Sequence, residues 1–358
     1  MERLRGPGPP SLPRVMLRSE LGKADLADLL SAGTIARVRH GAYMVVDQAL
    51  TEPWATRQQY ALARCVAVVR ASAEPRILSH ESAALLHGCP LWRTPERVHL
   101  IQPTRHGARR APDVLRHTVD LEPSDVTTIN GLAVTTLQRT VLDCARTLHA
   151  RDALVVADSA LRLLAKPDRW RRAESQERME GIRAELCERL ASGRARRGRV
   201  RARAVLSAAN GFAESPGESV LRWIAVSRDI GRPVAQFRTQ TDRGTYFSDL
   251  AWCYRRRSGG GTERWVVHAE FDGRIKYHAE TPDGGAEAVV EEKLREDAIR
   301  EAGGVVLRFV SEDLHRPDAT AERLVRAMPA RLMRGARAVP GLYLPVIARE
   351  ALRSRQVD

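Results

Sequence analysis

The chain is 358 residues long with a formal charge of +14 and a pI near 10.4, so it has room for two or three self-sufficient domains and favours a polyanionic partner, nucleic acid first. An apolar fraction of 43% argues for globular structure throughout most of the chain, and no run approaches the roughly 18 apolar residues of a membrane helix. Cys65, Cys89, Cys144, Cys187 and Cys253 are widely spaced, odd in number and lack any CxxC pair. They read as reduced thiols, and the N-terminal stretch MERLRGPGPPSLPRV lacks an apolar signal region, so a soluble cytoplasmic protein is expected.

Leu26, Leu29 and Leu30 form a helical stripe that Gly33 stops, and Ile35 to Val46 alternates through a His40-Gly41 turn. A helix running directly into a basic hairpin is the end of a winged helix, and Arg37, Arg39 and His40 would lie on the wing, facing phosphates. The other reading is a packing module with a solvated basic edge.

A helix follows over 54 to 72, and Ser79 is expected to cap another that Gly88 ends. His80 and His87 lie two turns apart on that helix with no third ligand in the neighbouring sequence, so they read as capping and packing residues. A short strand over Arg97 to Gln102 precedes a basic loop, Arg105 to Arg110. Helices are expected over Thr135 to Thr147 and Asp152 to Leu164.

Three segments, LSAGTIARVRHGAY (Leu30 to Tyr43), SHESAALLHGCP (Ser79 to Pro90) and GLAVTTLQRTVLD (Gly131 to Asp143), resemble the N-terminal region of AbiEi-type antitoxins. The resemblance covers roughly 15 to 165. It implies a winged-helix-like module over 14 to 50, a middle domain over 51 to 165, DNA binding with autoregulation, and a toxin as partner. It assigns no catalytic residue.

Residues 166 to 210 read as a basic helical linker, and the run SGRARRGRVRARA is its densest charge, with Arg196, Arg197 and Arg199 as candidate phosphate contacts. From Ser215 the patterning changes. A helix over Glu218 to Ile230 is followed by strands over Val234 to Gln240, Tyr246 to Trp252 and Arg264 to Asp272. A helix over Ala286 to Ala302 and a strand over Val305 to Val310 complete the order αβββαβ. If the second and third strands pair, Asp249 lies beside Glu270 with Asp272 one pleat along, and carboxylates so placed repel unless a cation sits among them. Hydrolysis of a phosphodiester needs such a cation, and Mg²⁺ or Mn²⁺ takes oxygen ligands.

That order, with Glu218 in SPGESVLR, Gln240 and Asp249 in QTDRGTYFSDLAW, and EFDGRIKY, resembles the very-short-patch-repair-like endonucleases of the PD-(D/E)XK superfamily over 215 to 314. The resemblance implies Asp249 and Glu270 as metal ligands, Gln240 and Asp272 as supporting polar groups, and Glu218 as the acidic residue of the first helix. Two residues past Glu270, where the pattern carries lysine, stands Asp272. Lys276, one of only four lysines, falls where relatives carry histidine, and would orient the nucleophile or stabilise developing charge.

Each candidate has a structural reading as well. Ser215, Pro216 and Glu218 make a capping box, Asp249 can pair with an arginine, and Lys293 and Arg295 either support phosphate binding or simply solvate a helix. The insert RRRSGGGT reads as a DNA-facing loop or decoration. Residues 321 to 358 hold a basic helix, Ala321 to Ala336, and an apolar tail that either packs on the preceding domain or mediates a homodimer.

The whole reads as a multidomain α+β protein whose leading function is a metal-dependent DNA endonuclease with an appended DNA-binding module. The alternative is a non-catalytic DNA-binding regulator or antitoxin, or a scaffold for a toxin.

Overall fold

The computed structural model describes residues 8–102, 111–193, 195–258, 261–273, 294–329, 337, 339, 341 and 342, with the backbone alone described over 255–258 and 261–264. It is a mixed α+β chain of two compact units, Met1–Leu148 and His149–Asp358. No helix among the described residues is long and apolar enough to cross a membrane. All five cysteines are free, with Cys65, Cys89 and Cys144 buried, and burial pushes the Cys65 thiol up to about 11 and that of Cys89 up to about 12.

The first unit opens with β1 (Val15–Leu17), α1 (Lys23–Ser31), β2 (Ile35–Arg39) and β3 (Ala42–Val45), whose strands form a sheet of order β1-β3-β2. The expected helix and hairpin are present, with Gly41 taking the turn at φ +70°. Among the described residues a single α-helix precedes this hairpin, flanked by a 3-10 turn, and α1 contributes no buried residue.

Next come α2 (Pro53–Arg70), β4 (Ile77–Leu78), α3 (His80–Leu86), β5 (Val98–Ile101), β6 (Val114–His117), β7 (Val126–Ile129), β8 (Leu132–Thr135) and α4 (Leu137–Thr147). Their strands form a second sheet of order β6-β5-β4-β8-β7. Asn130 and Gly131, both at positive φ, close the β7–β8 hairpin with a two-residue turn of the kind that matches strand twist. One apolar core runs from Val15 and Met44 through Leu62 and Val66 to Val98 and Val134, so the division expected at residue 50 is not a break in packing.

The second unit begins with α5 (Ala150–Ala165), α6 (Arg172–Ser192), α7 (Arg199–Ala208) and α8 (Pro216–Ser227). The segment expected to be a linker is therefore integral to this unit. Met179, Leu186 and Leu190 of α6 and Val205 and Leu206 of α7 are buried, because apolar residues recur at helical spacing beneath the charged surface. Asp158 of α5 and Arg222 of α8 form a fully buried ion pair, and Asp158 also accepts the Asn210 amide at 2.8 Å.

Three long strands follow, β9 (Val234–Thr241), β10 (Gly244–Ser258) and β11 (Gly261–Phe271). A helical segment over 294–301, here α9, leads into β12 (Gly304–Phe309), and α10 (Ser311–Leu314) and α11 (Pro317–Ala327) close the described part. The sheet order is β12-β11-β10-β9, antiparallel through β9, β10 and β11, with β12 parallel to β11. The insert expected as a loop instead prolongs the hairpin, since pairing continues through Arg255↔Arg264 to Ser258↔Gly261. Of the apolar tail, Leu342 is buried and its carbonyl accepts the indole N–H of Trp223 at 3.0 Å, so this part packs on α8.

Candidate carboxylate site and its surroundings

Helix α8 starts at Ser215, whose hydroxyl accepts the Glu218 amide at 3.2 Å, with Pro216 in the first turn. The Glu218 carboxylate turns back to accept the Glu214 amide at 2.9 Å, a local cap one residue earlier than the reciprocal box requires. Gly217 lets α8 lie close to β11, because a Cβ there would collide with the Phe271 ring. The structure thus shows the capping reading of Glu218 in a carboxylate that is also buried.

Asp249 on β10 lies one residue beyond the pair Leu250↔Ala269, alongside the end of β11. Its carboxylate accepts the Phe271 amide at 2.8 Å, tying the two strands where their ladder stops. Burial and the charge of Asp249 push Glu218 up to about 8. Burial likewise raises Asp249, against the Phe271 amide and Arg295, while Glu214 and Asp272 raise it further. Glu218 therefore feels Asp249, and Asp249 feels Asp272. Glu270 is buried and accepts a hydrogen bond from Arg295 of α9, which also donates to the Phe247 carbonyl at 3.2 Å.

Asp249 thus feels the charges of Glu214 and Asp272, while the partner of Glu270 is a side chain of the protein. Arg295, expected either to support phosphate binding or to solvate its helix, pairs with Glu270, so that carboxylate has a cation without a metal. Gln240 does not join these carboxylates: the side chain is exposed and accepts from Thr245 at 2.6 Å, further along the β9–β10 hairpin than Asp249. Gln236, four residues earlier at φ +48°, is the buried amide of β9 and faces Arg169 at 3.5 Å. Lys276 and Lys293 lie outside the described residues.

Beside Phe247 sits a group that motif reading missed. The Trp170 ring meets Phe247 edge-on at 4.9 Å, Arg169 lies over Phe247 at 4.7 Å, and Arg238 lies over Trp170 at 5.1 Å. Trp170 is 56% exposed. An exposed indole flanked by guanidinium groups is the chemistry that stacks on nucleobases and contacts phosphate. An exposed tryptophan within the basic run RWRR was the available sequence signal.

The basic candidates divide. Arg37 and His40 are exposed and hydrogen-bonded to each other at 3.2 Å. Arg39 is instead held by Asp113 at 3.0 Å. Arg196 and Arg197 are exposed, whereas Arg199 donates to the Gly193 carbonyl at 2.5 Å and closes the α6–α7 turn. Arg39 and Arg199 thus serve structural contacts that segment composition did not reveal.

In the first unit, His80 does not act with His87, whose ring bonds the Thr135 carbonyl at 2.8 Å. It gathers with His99 of β5 and His117 of β6, and one ligand atom from each lies within 4.8 Å of the others. Ser79 precedes α3 but makes no side-chain cap, its hydroxyl bonding the His80 ring at 3.0 Å instead.

An uncharacterized protein of Mycobacterium tuberculosis strain CDC 1551 / Oshkosh is 27% identical over 256 residues, covering 71% of this chain and 82% of the relative. An uncharacterized protein of strain ATCC 25618 / H37Rv matches to the same extent. The match is longer than either compact unit, so it reaches into both. No family model matches, and no solved structure matches.

Proposed function

We propose that the second unit is the core of a metal-dependent DNA endonuclease of PD-(D/E)XK type, with the first unit as its DNA-binding companion. The observation that carries this reading is Asp249 at the end of the β10–β11 ladder, electrostatically linked to Glu218 and Asp272, with Glu270 buried on β11, in a sheet of order β12-β11-β10-β9. The net charge of +14 and the Trp170 group beside Phe247 add a nucleic-acid-facing chemistry to it.

The donor set consists of carboxylate oxygens, which fits a hard cation such as Mg²⁺ or Mn²⁺. Asp249 and Glu270 would hold it, and the bound ion supplies charge neutralisation at phosphate and a more acidic water. The Phe271 amide orients Asp249. Arg295 directs a guanidinium at Glu270 and offers the positive charge that the missing lysine would have brought. Glu218, held protonated near neutral pH, limits the negative charge of the pocket.

The test is a nicking assay on supercoiled and mismatched DNA with Mg²⁺ or Mn²⁺, comparing wild type, Asp249→Asn and Glu270→Gln. Metal-dependent cleavage lost in both variants supports the reading. Absence of cleavage on every substrate, with DNA binding intact, overturns it.

A second reading, a non-catalytic DNA-binding regulator or antitoxin, is favoured by one feature: Glu270 already has Arg295 as its cation, and Asp272 occupies the lysine position. It predicts salt-sensitive binding to a preferred duplex that survives Asp249→Asn, with Arg37 and His40 among the contacts. A toxin that co-purifies with the protein would extend it to an antitoxin.

A further inference from the structure

The three histidines of the first unit come from three separate elements. His80 begins α3, His99 lies on β5 and His117 ends β6, with β5 and β6 parallel neighbours whose register pairs Val98 with Val114 and Ile101 with His117. His80 and His99 are buried and His117 half-buried. His117 Nε2 lies 3.2 Å from His99 Nδ1, and the rings of His80 and His117 stack with centroids 3.7 Å apart, so one of the two rings must turn for both in-plane lone pairs to reach a single ion. Two imidazole nitrogens bound to a tetrahedral zinc ion at about 2.0–2.1 Å are themselves about 3.3 Å apart, close to that separation.

The outer nitrogens are occupied in a way that aims the inner ones. The Ser79 hydroxyl sits 3.0 Å from His80 Nδ1, which leaves Nε2 for the cluster. Glu81 Oε2 lies 3.5 Å from His99 Nε2, on the side of the ring away from His117. A carboxylate on the far nitrogen of a ligating histidine fixes its tautomer and raises its basicity. His80 itself adopts φ +49°, a left-handed conformation costly for a residue with a side chain and concentrated at functional sites. Nearby Arg139, which would repel a cation, is neutralised by Asp125 and Asp143.

We infer that His80, His99 and His117 form a binding site for a divalent transition metal of the zinc class, with Glu81 as the carboxylate that orients His99. Three imidazole nitrogens suit zinc, nickel or copper rather than magnesium, so this site is chemically distinct from the carboxylates of the second unit. Three protein ligands also leave a fourth position open to water or an exogenous anion, as in zinc sites that do more than hold a fold.

The experiment uses the full chain, stripped with a chelator, dialysed, and titrated with Zn²⁺ and separately with Co²⁺. Metal content is measured by mass spectrometry and coordination by the visible absorption of tetrahedral Co²⁺. Wild type and Asp249→Asn are expected to retain one tight equivalent and the Co²⁺ band, whereas His117→Ala loses both. Glu81→Gln, which leaves every proposed ligand in place, is expected to weaken Zn²⁺ binding by about 10- to 100-fold. His87→Gln, outside the cluster, leaves affinity unchanged. Circular dichroism checks that His117→Ala remains folded, and Glu81→Gln gives an independent readout where it does not. No tight equivalent in the wild type, or equal binding by wild type and Glu81→Gln, overturns the inference.

Discussion

Arg295 donates to the carboxylate of Glu270, reaching it from the helix that precedes β12. The cation beside the central carboxylate of β11 is thus an arginine brought by another element, while the lysine spacing of the strand itself is broken by Asp272. If the unit cleaves DNA, Arg295→Ala should lower the nicking rate at saturating Mg²⁺ by about 10²- to 10³-fold, the usual loss for one charge-stabilising donor. Arg295→Lys should recover part of that loss. A rate unchanged in Arg295→Ala would reduce this residue to a structural partner of Glu270.

Glu218 links the pocket to pH. Its ordinary pKa of 4.5 rises to about 8 in the fold through burial and the charge of Asp249. Below pH 4.5 the group is protonated in both folded and unfolded states. As pH climbs toward 8 the unfolded chain ionises first, so stability is lost across that window. In the presence of a chelator, thermal unfolding of wild type should show this decline, and Glu218→Gln should flatten it. An identical pH profile for the two proteins would mean that Glu218 carries no such strain.

The Asp158–Arg222 pair joins α5 to α8 with both side chains buried. Removing one partner strands a charge in the interior, so Asp158→Ala or Arg222→Ala should each destabilise the second unit by about 3–5 kcal/mol. Replacing both together, Asp158→Leu with Arg222→Met, should cost less than either single change. Chemical denaturation monitored by tryptophan fluorescence measures all three.

Trp170 offers an exposed ring beside Phe247, Arg169 and Arg238. Trp170→Ala should weaken binding of a single-stranded oligonucleotide by about 1–3 kcal/mol if the indole stacks on a base. Arg238→Ala should reduce the slope of log affinity against log salt, since it removes a phosphate-neutralising charge. Fluorescence anisotropy over a salt series separates the two effects. Unchanged affinity in Trp170→Ala removes this group from the nucleic-acid surface.

What local sequence determined is clearest in the second unit. Ser215 and Pro216 announce α8, and the periodicities of Val234 to Gln240, Tyr246 to Trp252, Arg264 to Asp272 and Val305 to Val310 locate β9, β10, β11 and β12 to within a few residues, except that β10 runs on to Ser258. Such elements are legible because caps, turns and apolar periodicity act between residues close in the chain. That Asp249 lies on β10 and Glu270 on β11 was legible for the same reason, since each strand reads from its own alternation.

Tertiary structure decided the rest. Arg295 became the partner of Glu270, Arg39 that of Asp113, and the basic segment folded into α6 and α7 as part of a packed unit. Gln240 stayed on the exposed hairpin while Gln236 was buried beside Arg169. His80 met His99 and His117 across α3, β5 and β6, whereas the neighbour at helical spacing, His87, turned to the Thr135 carbonyl. The physical reason is common to all of these. A side chain's partner is chosen by which distant elements pack beside it, and spacing along one segment carries no information about that choice.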